Sequence, residues 1–297
     1  MKQYTSLKYK NKLCLALQPN TTIKTFINKR TIYQEIKTLT KRLYIQTYRR
    51  PSSIITSMLQ PLLWLILFSA LFQNAPINIF EEYKVKYNEF LSPGIIIFTA
   101  FTSSINAGLP IVFDREFGFL NRLLSSPLTY KNSFFISCLM YTWIIAIMQI
   151  TTIVIFSIFY SKYIININQF LATISITTLI IFNIASVSIY NAFVLPGHIE
   201  FIALSFIINL PTLFSSTALS PLYFMPNWLQ FIACINPLTY AIEITRYIFF
   251  HKKLILNEKI VNTIWFSLKT NQSIYILIIF NILSLLLVYR FIKYRYD

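Results

Sequence analysis

Six stretches of this chain, residues 51–80, 90–113, 132–161, 163–197, 201–242 and 270–289, contain no Asp, Glu, Lys, Arg or His. Each is long enough for a helix to cross the hydrocarbon core of a bilayer, which takes about 20 mostly apolar residues. No other feature constrains the fold as much. Lipid offers no partners to stray N–H and C=O groups, so spanning segments of this length must be helices. Composition agrees, with 56% hydrophobic and 12% charged residues among 297, too few polar groups to cover a soluble surface. The expectation is an all-α polytopic membrane protein with spans near 53–72, 92–112, 134–159, 170–192, 201–219 and 272–290.

A formal net charge of +16 raises the question of nucleic acid, and its distribution answers it. Twelve of the 26 Lys and Arg fall in residues 1–50 and three more, Arg290, Lys293 and Arg295, in the last eight. Basic flanks beside apolar segments mark the cytoplasmic or stromal side of a membrane. With six spans both termini lie on that side, the loop at 73–90 lies outside, and the charged loop at 113–131 lies inside. Residues 1–30 are basic and free of acidic residues. They read as a retained, partly disordered arm; the alternative is an imported transit peptide, which is richer in Arg and Ser. Residues 31–50 place Ile32, Ile36, Leu39 and Leu43 at helical spacing, with Lys37, Lys41 and Arg42 between them, and Pro51 ends the pattern. An apolar stripe beside a basic face, just before a span, predicts an interfacial helix in contact with membrane lipid. The heavy use of Ile, Asn, Lys, Tyr and Phe suggests an AT-rich genome, a plastid first and a bacterial inner membrane as the alternative.

Catalytic and redox classes find little support. Cys14, Cys138 and Cys234 are too scattered for a disulfide framework, and two histidines, His198 and His251, make no metal motif. The four glycines, Gly94, Gly108, Gly118 and Gly197, are never five apart, so a phosphate-cradling G-x-x-x-x-G-K-[ST] loop cannot be built. Within the expected spans the polar side chains include the amides Gln60, Asn106, Gln149, Asn183, Asn191, Asn209 and Asn281, which glue helices or line a path but do not titrate. An energy source for any transport must therefore lie on another polypeptide.

The block 201–242 is too long for one crossing and carries Pro211, Pro221, Pro226 and Pro237. A span followed by a broken, re-entrant segment on the outer side, residues 221–246, fits better than two crossings, which would leave the basic C-terminus outside. Glu243 and Arg246, three apart, read as a helical ion pair, either a structural clasp or a gate. His198 and Glu200 sit in a short inner loop.

The charges between the second and third blocks are the other departure. Asp114, Arg115, Glu116 and Arg122 stand within nine residues of one another. Gly118 permits a sharp turn with positive φ, Leu120, Leu123 and Leu124 share one face of the helix that follows, and Pro127 closes it. An apolar face flanked by Arg115, Glu116 and Arg122 suits docking into a partner's groove.

Residues 113–128, with Arg115, Glu116, Gly118, Leu120, Arg122, Leu123, Leu124 and Pro127, resemble the signature between the second and third membrane helices of ABC-2 type permeases. Residues 221–246, with Pro221, Met225, Pro226, Trp228, Leu229, the run Asn236-Pro237-Leu238-Thr239-Tyr240 and Arg246, resemble the block before that family's last span. The resemblance covers about residues 31–292. It implies a coupling helix at 113–128 that docks on a separate ABC ATPase subunit, a homodimer of permeases, an elbow helix at 31–50, and export as the direction. It also implies no cofactor on this chain, with ATP bound by the partner. The rival readings are a non-transporting membrane scaffold or assembly factor, and an integral-membrane enzyme acting on lipid.

Overall fold

The computed structural model describes residues 29–72, 87–125, 132–161, 166–251, 258–262, 265 and 267–296, without the side chains of Lys29, Leu124, Tyr160, Ser161, Asn262 and 291–296. The basic arm up to residue 28, most of the loop at 73–90, and Pro127 lie outside the described residues. What is described is all-α apart from one small hairpin, and the chain is an all-α polytopic membrane protein.

Helix α1 (Lys29–Tyr48) ends three residues before Pro51, and α2 (Pro51–Leu71) starts on it. Proline suits that first position because its missing N–H would have had no partner there. α3 (Tyr87–Ile105) and α4 (Leu109–Glu116) follow one line, then α5 (Phe119–Ser125), α6 (Asn132–Ser161) and α7 (Ile167–Val194). α8 (His198–Phe214) leads through a 3₁₀ turn at Leu222–Phe224 to α9 (Asn227–Ile235) and α10 (Pro237–His251). A hairpin of β1 (Lys259–Asn262) and β2 (Ser267–Lys269), paired antiparallel with Lys259 opposite Lys269, delivers the chain to α11 (Thr270–Tyr296). The all-α expectation had no place for this hairpin.

Five stretches are long and apolar enough to cross a membrane: α2, α3 with α4, α6 up to Phe159, α7, and α11 up to Arg290. α8, at 17 residues, is shorter; at 1.5 Å per residue it rises about 26 Å. Prolines punctuate the chain beyond α8, with Pro226 capping α9 and Pro237 opening α10. Asn236 holds the bend: its Nδ2 donates to Thr212 O at 3.0 Å, and its Oδ1 accepts from Leu238 N–H at 3.0 Å.

α3 is the axle, with Phe90, Ile95, Ile96, Ile97 and Phe98 fully buried, whereas α2 leaves most of its surface exposed. Helices in lipid gain nothing by hiding apolar surface from water, so close packing and hydrogen bonds must hold them. Two packed clusters result. One gathers α3, α6, α7 and α10; the other gathers α4, the last turns of α7, and Leu43 of α1. α1 lies against α6, with Glu35 accepting from Ser133 Oγ at 3.1 Å. Its apolar stripe is thus used partly on protein, through Leu39 and Leu43.

Candidate functional site

The charged segment begins at a helix break. Between α3 and α4 the chain turns at 106–108, where the Gly108 N–H donates to Ser188 Oγ at 2.9 Å and the Ser188 hydroxyl donates to Ile105 O at 2.6 Å. One hydroxyl of α7 thereby pairs two of the backbone groups that a helix end leaves open. The fit is close: a Cβ on Gly108 would stand 2.5 Å from Ser188 O. The expected span at 92–112 is thus interrupted by a helix break, while Tyr87–Glu116 as a whole is one stretch long and apolar enough to cross a membrane.

α4 then delivers three consecutive charges in three directions. Asp114, 4% exposed, pairs with Arg42 of α1, whose guanidinium carbon lies 3.7 Å from the centre of the Phe119 ring. Arg115 crosses to the end of α7 and donates to Ala192 O at 2.9 Å, to Leu195 O, and to Pro196 O at 2.8 Å. These carbonyls stand at the negative end of the α7 dipole, so a guanidinium is favoured there. Glu116 turns to the start of α8, accepting from His198 N–H at 2.7 Å and lying 2.7 Å from His198 Nδ1. The hydrogen bonds to the His198 side chain, then to its backbone N–H, hold the Glu116 carboxyl below its ordinary value. His198 and Glu116 therefore make a bracket between α4 and the start of α8.

Gly118 adopts φ 71°, the left-handed turn anticipated for it, and α5 follows. Leu120, 2% exposed, packs into the protein's own core with Leu123 against the same cluster. Of the residues expected to be displayed to a partner, Leu120 is buried and Arg115 is bonded within the chain, whereas Glu116, though bonded to His198, stays exposed. In a short helix beside two helix ends, unpaired backbone groups and apolar side chains find closer partners in the same chain. What this corner displays is Phe117, 75% exposed, with the exposed residues Glu116, Asn121 and Arg122. Leu124 is described only as part of α5.

The far face carries the second group. Trp228 of α9 is exposed, Pro226 and Pro237 start helices, and the Tyr240 hydroxyl donates to Cys234 O. Arg246, with no exposed surface, pairs with Glu243 Oε1 at 2.6 Å, donates to Thr217 O at 2.8 Å, and covers the Phe90 ring with its guanidinium carbon 3.7 Å from the centroid. It ties α10 to the turn after α8 and to the start of α3. Arg42 was read only as part of the basic face of the helix at 31–50; its place three residues after Leu39 was visible, but its partner 72 positions away was not.

A bundle of apolar helices whose second long segment breaks into a charged, surface-turned corner is the architecture of a membrane permease. Residues 34–250 match the ABC-2 type transporter family, and the chain belongs to that family. Similar proteins carry the name transport permease ycf38. That of Porphyra purpurea is 44% identical over 264 residues, covering 89% of this chain and 90% of the relative. Those of Cyanophora paradoxa and Pyropia yezoensis are each 45% identical, over 260 and 269 residues, covering 88% and 91% of this chain and 89% and 92% of theirs. These relatives come from red algal and glaucophyte plastid genomes, and with its apolar helices this chain is a multi-pass plastid membrane protein.

Proposed function

We propose that this chain is the membrane-spanning subunit of an ATP-driven exporter, worked from the stromal side by a separate ABC ATPase and paired with a second copy of itself. The observation that carries this reading is the corner at Phe117, Asn121 and Arg122. It is exposed, yet anchored through Arg115 to the end of α7 and through Glu116 to the start of α8. A partner pressing on that corner moves α7 and α8 at once, because charge-assisted bonds transmit the displacement. ATP binds the partner and not this chain, which acts as the gate. The exposed apolar faces of α2 and α8, with Leu59, Leu63, Phe206 and Leu210, suit a second protomer or lipid. A driven gate requires a partner whose affinity differs between inward- and outward-facing states.

Pull-down of the native protein in mild detergent tests the reading. A stoichiometric ATPase is expected with the parent chain and is lost from Phe117→Ala combined with Arg122→Glu, a pair that touches none of the internal brackets. Full ATPase recovery by that variant, or cargo movement in vesicles that contain the permease alone, overturns it.

A further inference from the structure

Beside the cavity between the helices, which Gln149 and Asn209 help to line, a second hollow of about 500 Å³ opens on α1 and carries a different chemistry. Four of its described lining residues are cations, Lys41, Arg42, Arg49 and Arg50, and none is a carboxylate. Spacing explains the gathering. Lys41, Ile45 and Arg49 are four apart, with Arg42 beside them, so they share one side of the helix. The register outlasts α1, since Arg49 N–H donates to Ile45 O at 3.1 Å and Arg50 N–H to Thr47 O at 2.9 Å. Leu39 and Leu43, on another side, are spent on the protein core.

Like charges gathered this closely repel one another unless an anion joins them. Among the described residues Lys41, Arg49 and Arg50 make no ion pair, and all three are exposed. Arg42 gives one nitrogen to Asp114 and keeps 29% of its side chain exposed, so further N–H donors of its guanidinium remain to be offered. The acidic side chains on and beside α1 are engaged elsewhere: Glu35 accepts from Ser133 of α6, and Asp114 is buried against Arg42. Depth follows from the next helix. α2 runs 21 residues from Pro51, about 31 Å at 1.5 Å each, which is the thickness of a bilayer's hydrocarbon core. Arg49 and Arg50 therefore stand just outside the hydrocarbon, at the level of lipid headgroups. Tyr33 and Tyr48 of α1 are exposed, and tyrosine favours that boundary.

We infer that this hollow binds the headgroup of an anionic phospholipid, its phosphate met by Arg42, Arg49 and Arg50 together with Lys41, while its acyl chains enter the bilayer beside α2. The site does more than touch lipid: it selects charge. Guanidinium groups take phosphate oxygens two at a time, and a basic cluster on an interfacial helix draws acidic lipids. Headgroup depth, with exposed Ile45 and Tyr48 between the cations, favours a lipid over the acidic surface of a protein. Binding here is independent of the transport reading. Because Arg42 also holds Asp114, one side chain joins the bound headgroup to α4.

Photolabelling tests the site. The full-length protein in phosphatidylcholine nanodiscs receives a minor fraction of phosphatidylglycerol with a diazirine in its headgroup, and labelled peptides are mapped by mass spectrometry. Saturable label within residues 38–53 is expected, weakened by salt. Unlabelled phosphatidylglycerol competes for it, whereas added phosphatidylcholine and an equal concentration of inorganic phosphate do not. Arg49→Gln combined with Arg50→Gln is expected to weaken competition about twenty-fivefold, at about fivefold for each cation lost. Arg290→Gln, which removes an exposed cation from the basic end of α11, leaves it unchanged. Equal competition by phosphatidylcholine or by inorganic phosphate, or label spread evenly over both basic flanks, overturns the inference, and these arms need no variant to fold. Hydrogen-exchange protection of residues 38–50 by the ATPase recovered in the pull-down, with none from phosphatidylglycerol, assigns the face to a protein and overturns it too.

Discussion

Removing Arg246 tests the energetics of the far face most directly. Arg246→Met keeps length and apolar bulk while deleting the contacts to Glu243 Oε1, Thr217 O and the Phe90 ring. The carboxyl of Glu243, 3% exposed, is left in a dry interior without its guanidinium. Breaking a buried pair from one side costs about 3–5 kcal/mol, most of it the penalty on the charge left behind. Glu243→Gln is milder, about 1–3 kcal/mol, because the amide oxygen still accepts from Arg246 and the guanidinium keeps Thr217 O and Phe90. The double variant Arg246→Met with Glu243→Leu removes both charges and is expected to recover most of the loss, since an apolar pair of similar volume is often as stable as a buried ion pair. Reversible unfolding in mixed dodecyl maltoside and dodecyl sulfate micelles, followed by tryptophan fluorescence, gives the three values. The reasoning is refuted if Arg246→Met lies within about 0.5 kcal/mol of the parent, or if the double variant is no more stable than Arg246→Met alone, which would leave no penalty on a stranded charge to relieve.

Three further outcomes concern the inner face. Gly118→Ala meets no atom within 4 Å, so only backbone strain is at stake, about 1–2 kcal/mol for the left-handed turn, read in the same micelles. Gly108→Ala is expected to exceed it, at about 2 kcal/mol or more, because its Cβ would meet Ser188 O and force two backbones apart in a close-packed interior. Glu116, whose carboxyl is held low by His198, adds stability above its unfolded value and loses it as pH falls through the depressed one. The difference between parent and Glu116→Gln is therefore expected to be constant above pH 4.5 and to shrink below it; a difference that grows on acidification contradicts the bracket.

The spans were legible because charge and lipid exclude one another, and that rule acts on local sequence. The left-handed turn at Gly118 and the three-residue spacing of Glu243 and Arg246 are local too, and both occur as spacing suggested. The break at 106–108 was written in Asn106, Gly108 and Pro110, ordinary turn residues, but uniform apolarity on either side concealed it. What no local rule reveals is convergence. Asp114 meets Arg42, Glu116 meets His198, and Gln149 and Asn209 reach one cavity only because helices far apart in sequence pack together. Reading Arg115 as outward came from treating the segment as an isolated surface helix, whereas the neighbouring terminus of α7 had the stronger demand for it.

The order of two adjacent letters in α4 has a consequence of its own. Arg115 reaches an outgoing terminus, rich in bare carbonyls, and Glu116 an incoming one, rich in bare amides. Exchanging them would preserve composition, isoelectric point and hydropathy while setting each charge against a terminus of its own sign. Net quantities are blind to such a vector, so a homologue with this dipeptide reversed is expected to thread the connection between its counterparts of α7 and α8 past the corner in the opposite sense.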